Sequence, residues 1–167
     1  LLFEWLTLQN PRVNFSGHYG PLPGQNKPGL SLSKNILKVF LYLSKLIDLD
    51  ALVAFPAYFH NALLFSRYLY FVNPIKEGEI KAIRRQFSHV SFRPLAWAVY
   101  LGCLETEDGQ VYEWQAEEQV FPLSESLKDY INSRVYKEIA RHVEKTTRFK
   151  LDLDLFREKS QKVGILY

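Results

Sequence analysis

The chain has no methionine and a single cysteine, Cys103, in 167 residues. A lone thiol excludes an internal disulfide framework and any zinc site built from several thiolates. It also points to a reducing, intracellular compartment, an organelle entered after processing included. Without an initiator, the expectation is a processed chain or a piece of a longer one, whose targeting segment has already been removed. A membrane span needs about 20 mostly apolar residues. The cleanest apolar run, residues 51–65, contains Pro56, His60 and Asn61 and is flanked by Asp48, Asp50 and Arg67, so no transmembrane span is expected.

Local catalytic signatures are missing as well. No GxSxG elbow occurs, and His18, His60, His89 and His142 form no HxH or HExxH pair. Between Gly17 and Gly29 the chain is crowded with glycine and proline, which forbids a regular element there. A phosphate-cradling loop opens directly into a helix, and here prolines intervene. Cys103 sits in an apolar stretch followed by acidic residues. Both features raise a thiol pKa, so an inert core cysteine is expected. The sequence therefore names no catalytic residue, no metal ligand and no cofactor.

Aromatic residues are abundant, with 12 Phe and 10 Tyr, and apolar side chains dominate Ile36 to Val72. Such a segment is a core or a docking surface, and burial as a helix pair is the expectation. The spacing of Ile36, Val39, Phe40, Leu43, Leu46 and Ile47 predicts a helix over about 32–49, capped by Ser31 or Ser33. A second helix, capped by Asp48 or Asp50 and carrying Pro56 in its first turn, is expected to reach about Tyr70. A third is read over 79–87. The segment 96–116 reads as a β-hairpin turning at Glu107-Asp108-Gly109, because Asp-Gly supplies the positive φ of a tight turn. Val120-Phe121 adds a short strand. A long amphipathic helix follows over about 125–146, with Ile131, Val135, Tyr136, Ile139 and Val143 on its inner side. Phe149 to Leu155 alternate like a half-buried strand, with Asp154 as an alternative helix cap, and the final Ile-Leu-Tyr reads as another strand. The terminal LLFEWLTLQ suits a short helix or an edge strand. The fold expected is α+β in a single domain over 1–167: a helical N-terminal half packed against a small antiparallel sheet, flanked by the long C-terminal helix.

Charge is segregated. Lys76 to Arg93 holds five basic and two acidic groups, and Glu105 to Glu118 holds six acidic groups and none of opposite sign. Lys128 to Lys150 returns to seven basic against three acidic. Alternating blocks polarise a surface and favour oriented docking. Two candidate sites follow. Arg84, Arg85, Arg134, Lys137, Arg141 and Lys145 form a candidate surface for nucleic acid or an acidic partner, within the basic segments Lys81–Arg85 and Arg134–Lys150. Glu105, Glu107, Asp108 and Glu113 form a candidate surface for a basic partner. Solvated helix and hairpin faces account for the same residues without any partner. The leading expectation is a non-catalytic interaction or adaptor domain, a protein-binding subunit of a larger assembly, with a nucleic-acid-binding module as the alternative. An enzyme whose site assembles from distant residues stays open, with His60 and the hairpin carboxylates as its first candidates. Oligomeric state is not legible.

Overall fold

The computed structural model describes residues 1–3, 8–15 and 20–165. In chain order the elements are β1 (Leu2–Phe3), α1 (Ser33–Leu46), β2 (Ala51–Ala54), α2 (Phe59–Phe65), β3 (Tyr70–Phe71) and α3 (Pro74–Gln86). They continue as α4 (Phe92–Tyr100), β4 (Leu104–Thr106), β5 (Gln119–Pro122), α5 (Glu125–Asn132), α6 (Arg134–Thr146), β6 (Phe149–Leu151) and α7 (Leu153–Lys162). One sheet runs β1-β2-β5-β3, with β1 parallel to β2 and the other neighbours antiparallel. A second pairs β4 with β6 antiparallel. The class is α+β, as the sequence predicts. No helix among the described residues is long and apolar enough to cross a membrane.

Several elements differ from expectation, each for a local reason. Residues expected to begin a second helix form β2 instead, the inner strand between β1 and β5. Leu52 and Ala54 point inward. Four apolar residues fit a buried strand as well as a helix. Pro56 then favours extended backbone at Phe55, so the helix starts only at Phe59. α3 begins five residues earlier than read, because Asn73 caps it by accepting Ile75 N–H at 3.0 Å and Pro74 occupies a first-turn site.

The first half of the expected hairpin is a helix, α4. Ala96 and Ala98 favour that state, and the continuous apolar run reflects burial on several sides. Gly102 ends it at φ 64°. Its N–H bonds to Val99 O at 3.1 Å and that of Cys103 to Ala98 O at 2.8 Å, the paired pattern of a Schellman stop. The turn at residues 107–109 survives, with Gly109 at φ 79°, but its first strand is only β4, and β4 spends its other edge on β6. Gln119–Pro122 does form a strand, bonded to β2 and β3.

The long C-terminal helix is broken at Ser133, whose extended backbone (ψ 151°) separates α5 from α6 and whose Oγ accepts Tyr136 N–H. The break moves Val135 and Ile139 from the expected inner face to the surface, while Ile131 and Tyr136 stay buried. Beyond β6, Asp152 caps α7 by accepting from Asp154 and Leu155, which ends the strand at Leu151. Of the terminal segments read as regular, Leu2–Phe3 is the edge strand β1; residues 4–7, Leu166 and Tyr167 lie outside the described residues.

The main core gathers Phe59, Leu63, Phe71, Ile80, Ile83, Leu95, Val99 and Leu104 from α2, β3, α3, α4 and β4. Against its back, α3 and α6 cross closely. A Cβ at Gly78 would sit 2.6 Å from both Ala140 O and Val143 Cβ, far inside contact distance. Tyr136 and Tyr130 fasten the same region by donating to Phe71 O (2.5 Å) and Val72 O (3.0 Å).

Gly78→Ala is the direct check on this crossing. Overpacking against a backbone carbonyl costs roughly 1–3 kcal/mol, and the gain in helix propensity returns up to about 1 kcal/mol. A net loss of about 1–2 kcal/mol is expected in urea denaturation, whereas a stabilised variant contradicts the close crossing.

Candidate interaction surfaces

The crossing of α3 on α6 brings together basic residues that are far apart in sequence. Lys81 of α3 and Lys137, Arg141 and Glu144 of α6 line a shallow groove of about 440 Å³, floored by Tyr136 and Ala140. Part of this charge is neutralised locally. Lys81 Nζ lies 3.0 Å from Glu77 Oε1, and Arg134 Nε lies 2.7 Å from Glu138 Oε1. Lys137 Nζ donates to Asn132 Oδ1 at 3.0 Å, and Arg85 donates to the carbonyl of Glu144 at 2.8 Å, so it serves as a C-terminal cap for α6. Among the described residues no carboxylate forms an ion pair with Arg84, Arg141 or Lys145. Of the six basic candidates, Lys137 and Arg141 share the groove, and Lys81 joins them. Arg134 sits at the opening of α6 and Lys145 in its last turn, roughly 16 Å apart at 1.5 Å per residue.

The acidic candidates do not form one constellation. Glu105 lies on β4 directly opposite Lys150 of β6, a cross-strand pairing of unlike charges. Glu107 and Asp108 stand exposed at the turn. The Thr106 hydroxyl bonds to Asp108 and holds its carboxyl below the ordinary range. Glu113 is separate, on the irregular stretch after the turn.

Glu113 instead borders an aromatic groove of about 450 Å³ shared with Tyr58, His60, Tyr100, Trp114 and Pro23. His60 is 3% exposed, stacked on Tyr58 (ring centroids 5.4 Å apart) and edge-on to Phe92 (6.5 Å). Burial pushes its pKa down to about 4, so the imidazole is neutral at pH 7. The groove thus offers ring faces and a carboxylate rim. Cys103 is fully buried, and burial, more than its neighbours Lys159 and Asp152, sets its pKa, which is raised. No cluster of three or more His, Cys, Asp and Glu able to hold a metal ion occurs among the described residues. His18 lies outside them.

The surface that sequence reasoning missed is on α1. The periodic face assigned to the interior points outward: Val39 is 54% exposed, Leu43 42%, Leu46 66% and Ile47 62%. Leu32, the N-cap residue two turns before Val39, is exposed too. What α1 buries lies mainly on the other side, where Ser44 is completely enclosed and Leu37 and Leu41 are half-buried, together with Ile36 and Phe40 at the edge of the predicted face. Both sides of the helix are apolar, so periodicity located the helix and could not choose the inner face. The expected burial of the whole first half as a helix pair is corrected accordingly. Phe59 and Leu63 are swallowed by the core, while α1 shows most of its aliphatic face to solvent.

The neutral ring of His60 has a consequence for stability. The unfolded chain takes up this proton near pH 6.5 and the folded chain only near pH 4, so stability is full above 6.5 and falls as pH drops through that window. At about 1.4 kcal/mol per pH unit, His60 contributes a loss of about 3 kcal/mol between pH 7 and pH 4. Urea unfolding of His60→Phe is expected to show a pH dependence weaker by that amount; an unchanged dependence contradicts the buried neutral ring.

Comparison with protein-family models, with curated proteins and with solved structures finds no match for the chain.

Proposed function

We propose that this chain is a non-catalytic interaction domain that works as a subunit of a larger assembly. The observation that carries the reading is the outward face of α1. Leu32, Val39, Leu43, Leu46 and Ile47 are all exposed along a helix of 14 residues and its two caps. Scattered single apolar residues on a surface need no explanation; a contiguous stripe of this kind marks an interaction site. The energetic argument points the same way: covering a fully exposed side chain of this kind contributes roughly 1.5–3 kcal/mol, and about half of each of these side chains is still open to be covered. The basic groove and the acidic turn, on other elements, would orient whatever docks.

The test is co-purification of the tagged chain from its native source. A partner retained in stoichiometric amount is expected to be lost when Val39 and Leu46 are both changed to Glu, and kept when Arg134 and Arg141 are. Loss of partner only with the arginine changes would move the site away from α1.

A second reading is favoured by one observation, the convergence of Lys81, Lys137 and Arg141 in a single groove: a nucleic-acid-binding module. Three phosphate contacts predict a log–log salt slope of about −3 for duplex DNA. Lys137→Glu with Arg141→Glu is expected to abolish retardation of single- and double-stranded probes. Absence of any retardation of the parent chain at low salt removes this reading.

A further inference from the structure

Among the described residues that line the aromatic groove, Glu113 is the only one ionised at pH 7, since the imidazole of His60 is neutral there. Glu113 is exposed and takes part in none of the ion pairs among the described residues. Lys159 comes close, its Nζ 4.0 Å from where a Gly102 Cβ would stand, but it donates to Leu101 O at 2.7 Å. Two ring walls of the groove are fixed by the chain. Tyr58 stacks on the buried His60, and Gly24, at φ 74°, approaches the Tyr58 ring so closely that a Cβ there would collide with it. Tyr100 stands 6.1 Å from Tyr58 and meets Trp97 edge-on at 5.5 Å. It is 56% exposed, so a ligand can reach it.

These groups separate the ligands that the groove could take. An anion would face the carboxylate of Glu113 with no cation lining the groove to hold it. A proline-rich segment brings carbonyls that need donors. The two indoles already donate within the chain, Trp97 to Pro21 O at 2.8 Å and Trp114 to Pro56 O at 3.0 Å. A bare divalent cation needs several oxygen ligands, and one carboxylate does not supply them. Ring faces attract an ammonium through their quadrupole, and the chain already uses that attraction: Lys76 Nζ lies 4.9 Å from the Trp114 ring centre and 5.6 Å from that of Tyr112. No cation among the described residues sits over Tyr58 or Tyr100. Val99, Leu101 and Val111 add aliphatic surface beside them. The volume of about 450 Å³ falls within the roughly 300–1,000 Å³ of small-molecule sites.

We infer that this groove binds a small organic cation with an N-alkylated ammonium head, seated against Tyr58 and Tyr100 with Glu113 as its counter-charge. Its hydrocarbon part lies on Val99, Leu101 and Val111. Alkyl groups on the nitrogen thin its hydration, which is what ring faces in place of water require. The site is separate from the outward face of α1 and does not depend on the reading of that face.

Amide-resolved NMR of the full chain, titrated with choline against sodium chloride at equal ionic strength, tests it. Saturable shifts are expected at residues 57–60, 99–102 and 111–114. None is expected from the neutral isostere in which a tert-butyl group replaces the trimethylammonium. Tyr100→Leu and Glu113→Gln, both at exposed positions, are each expected to weaken binding roughly tenfold with unchanged circular dichroism, while Tyr100→Phe keeps the ring and the affinity. Equal shifts from the neutral isostere overturn the cation and leave a plain apolar cleft. Absence of a saturable shift with choline overturns the site, as does undiminished binding in both Tyr100→Leu and Glu113→Gln. A response to phosphatidylcholine vesicles without one to free choline overturns the small-molecule ligand.

Discussion

The contact between α3 and α6 at Gly78 is the constraint on which the rest of the second half depends. A hydrogen in place of a side chain lets the backbone carbonyl of Ala140 and the side chain of Val143 approach to where a Cβ would stand. That proximity sets the spacing of Lys81 from Lys137 and Arg141, and it brings Arg85 within reach of the last carbonyls of α6. It also holds Tyr136 over the end of β3, where burial and the nearby Glu77 raise its hydroxyl pKa and keep it a donor to Phe71 O. Interiors this tight transmit displacement rather than absorb it. The basic groove is therefore a by-product of close packing as well as of composition.

The opening of α3 does a second job. Lys76 is nearly buried, with its ammonium 3.2 Å from Glu79, 3.9 Å from Glu117, and 4.9 Å above the Trp114 ring. Asn73 reaches Glu117 as well, at 3.0 Å, and the Trp114 indole N–H donates to Pro56 O. A stretch with almost no secondary structure, residues 112–118, is thus tied down by side chains at both ends. A buried ammonium is tolerable only with this combination of carboxylates and ring faces around it. The same ties hold Trp114 and Glu113 at the rim of the aromatic groove that contains His60.

Where side chains settle the backbone locally, the sequence was legible. Asp108-Gly109 marks a turn, and the three-four spacing after Ser33 marks α1. Three further local signals were present and overlooked: Asn73-Pro74 as a helix start, Gly102 as a helix stop and Ser133 as an internal cap. The strand β2 and the helix α4 were read wrongly for another reason. A short run such as Ala51–Ala54 or Leu95–Val99 carries burial information and almost no periodicity, and burial is compatible with either state. Of the candidate sites, residue type was legible and grouping was not. Lys81, Lys137 and Arg141 converge only because α3 packs on α6, and Glu113 parts from the other carboxylates only because the chain leaves the hairpin after Tyr112.

By itself, the sequence determined the α+β class, the missing membrane-spanning run, the segregated charge and the starts of α1 and α5, because each follows from local sterics, local hydrogen bonds or simple counting. Tertiary structure alone decided which side of α1 faces the body, which strands pair, and which cations share a groove. Those outcomes are settled by competition among distant surfaces for burial, and a helix that is apolar on both sides carries no local preference to decide it.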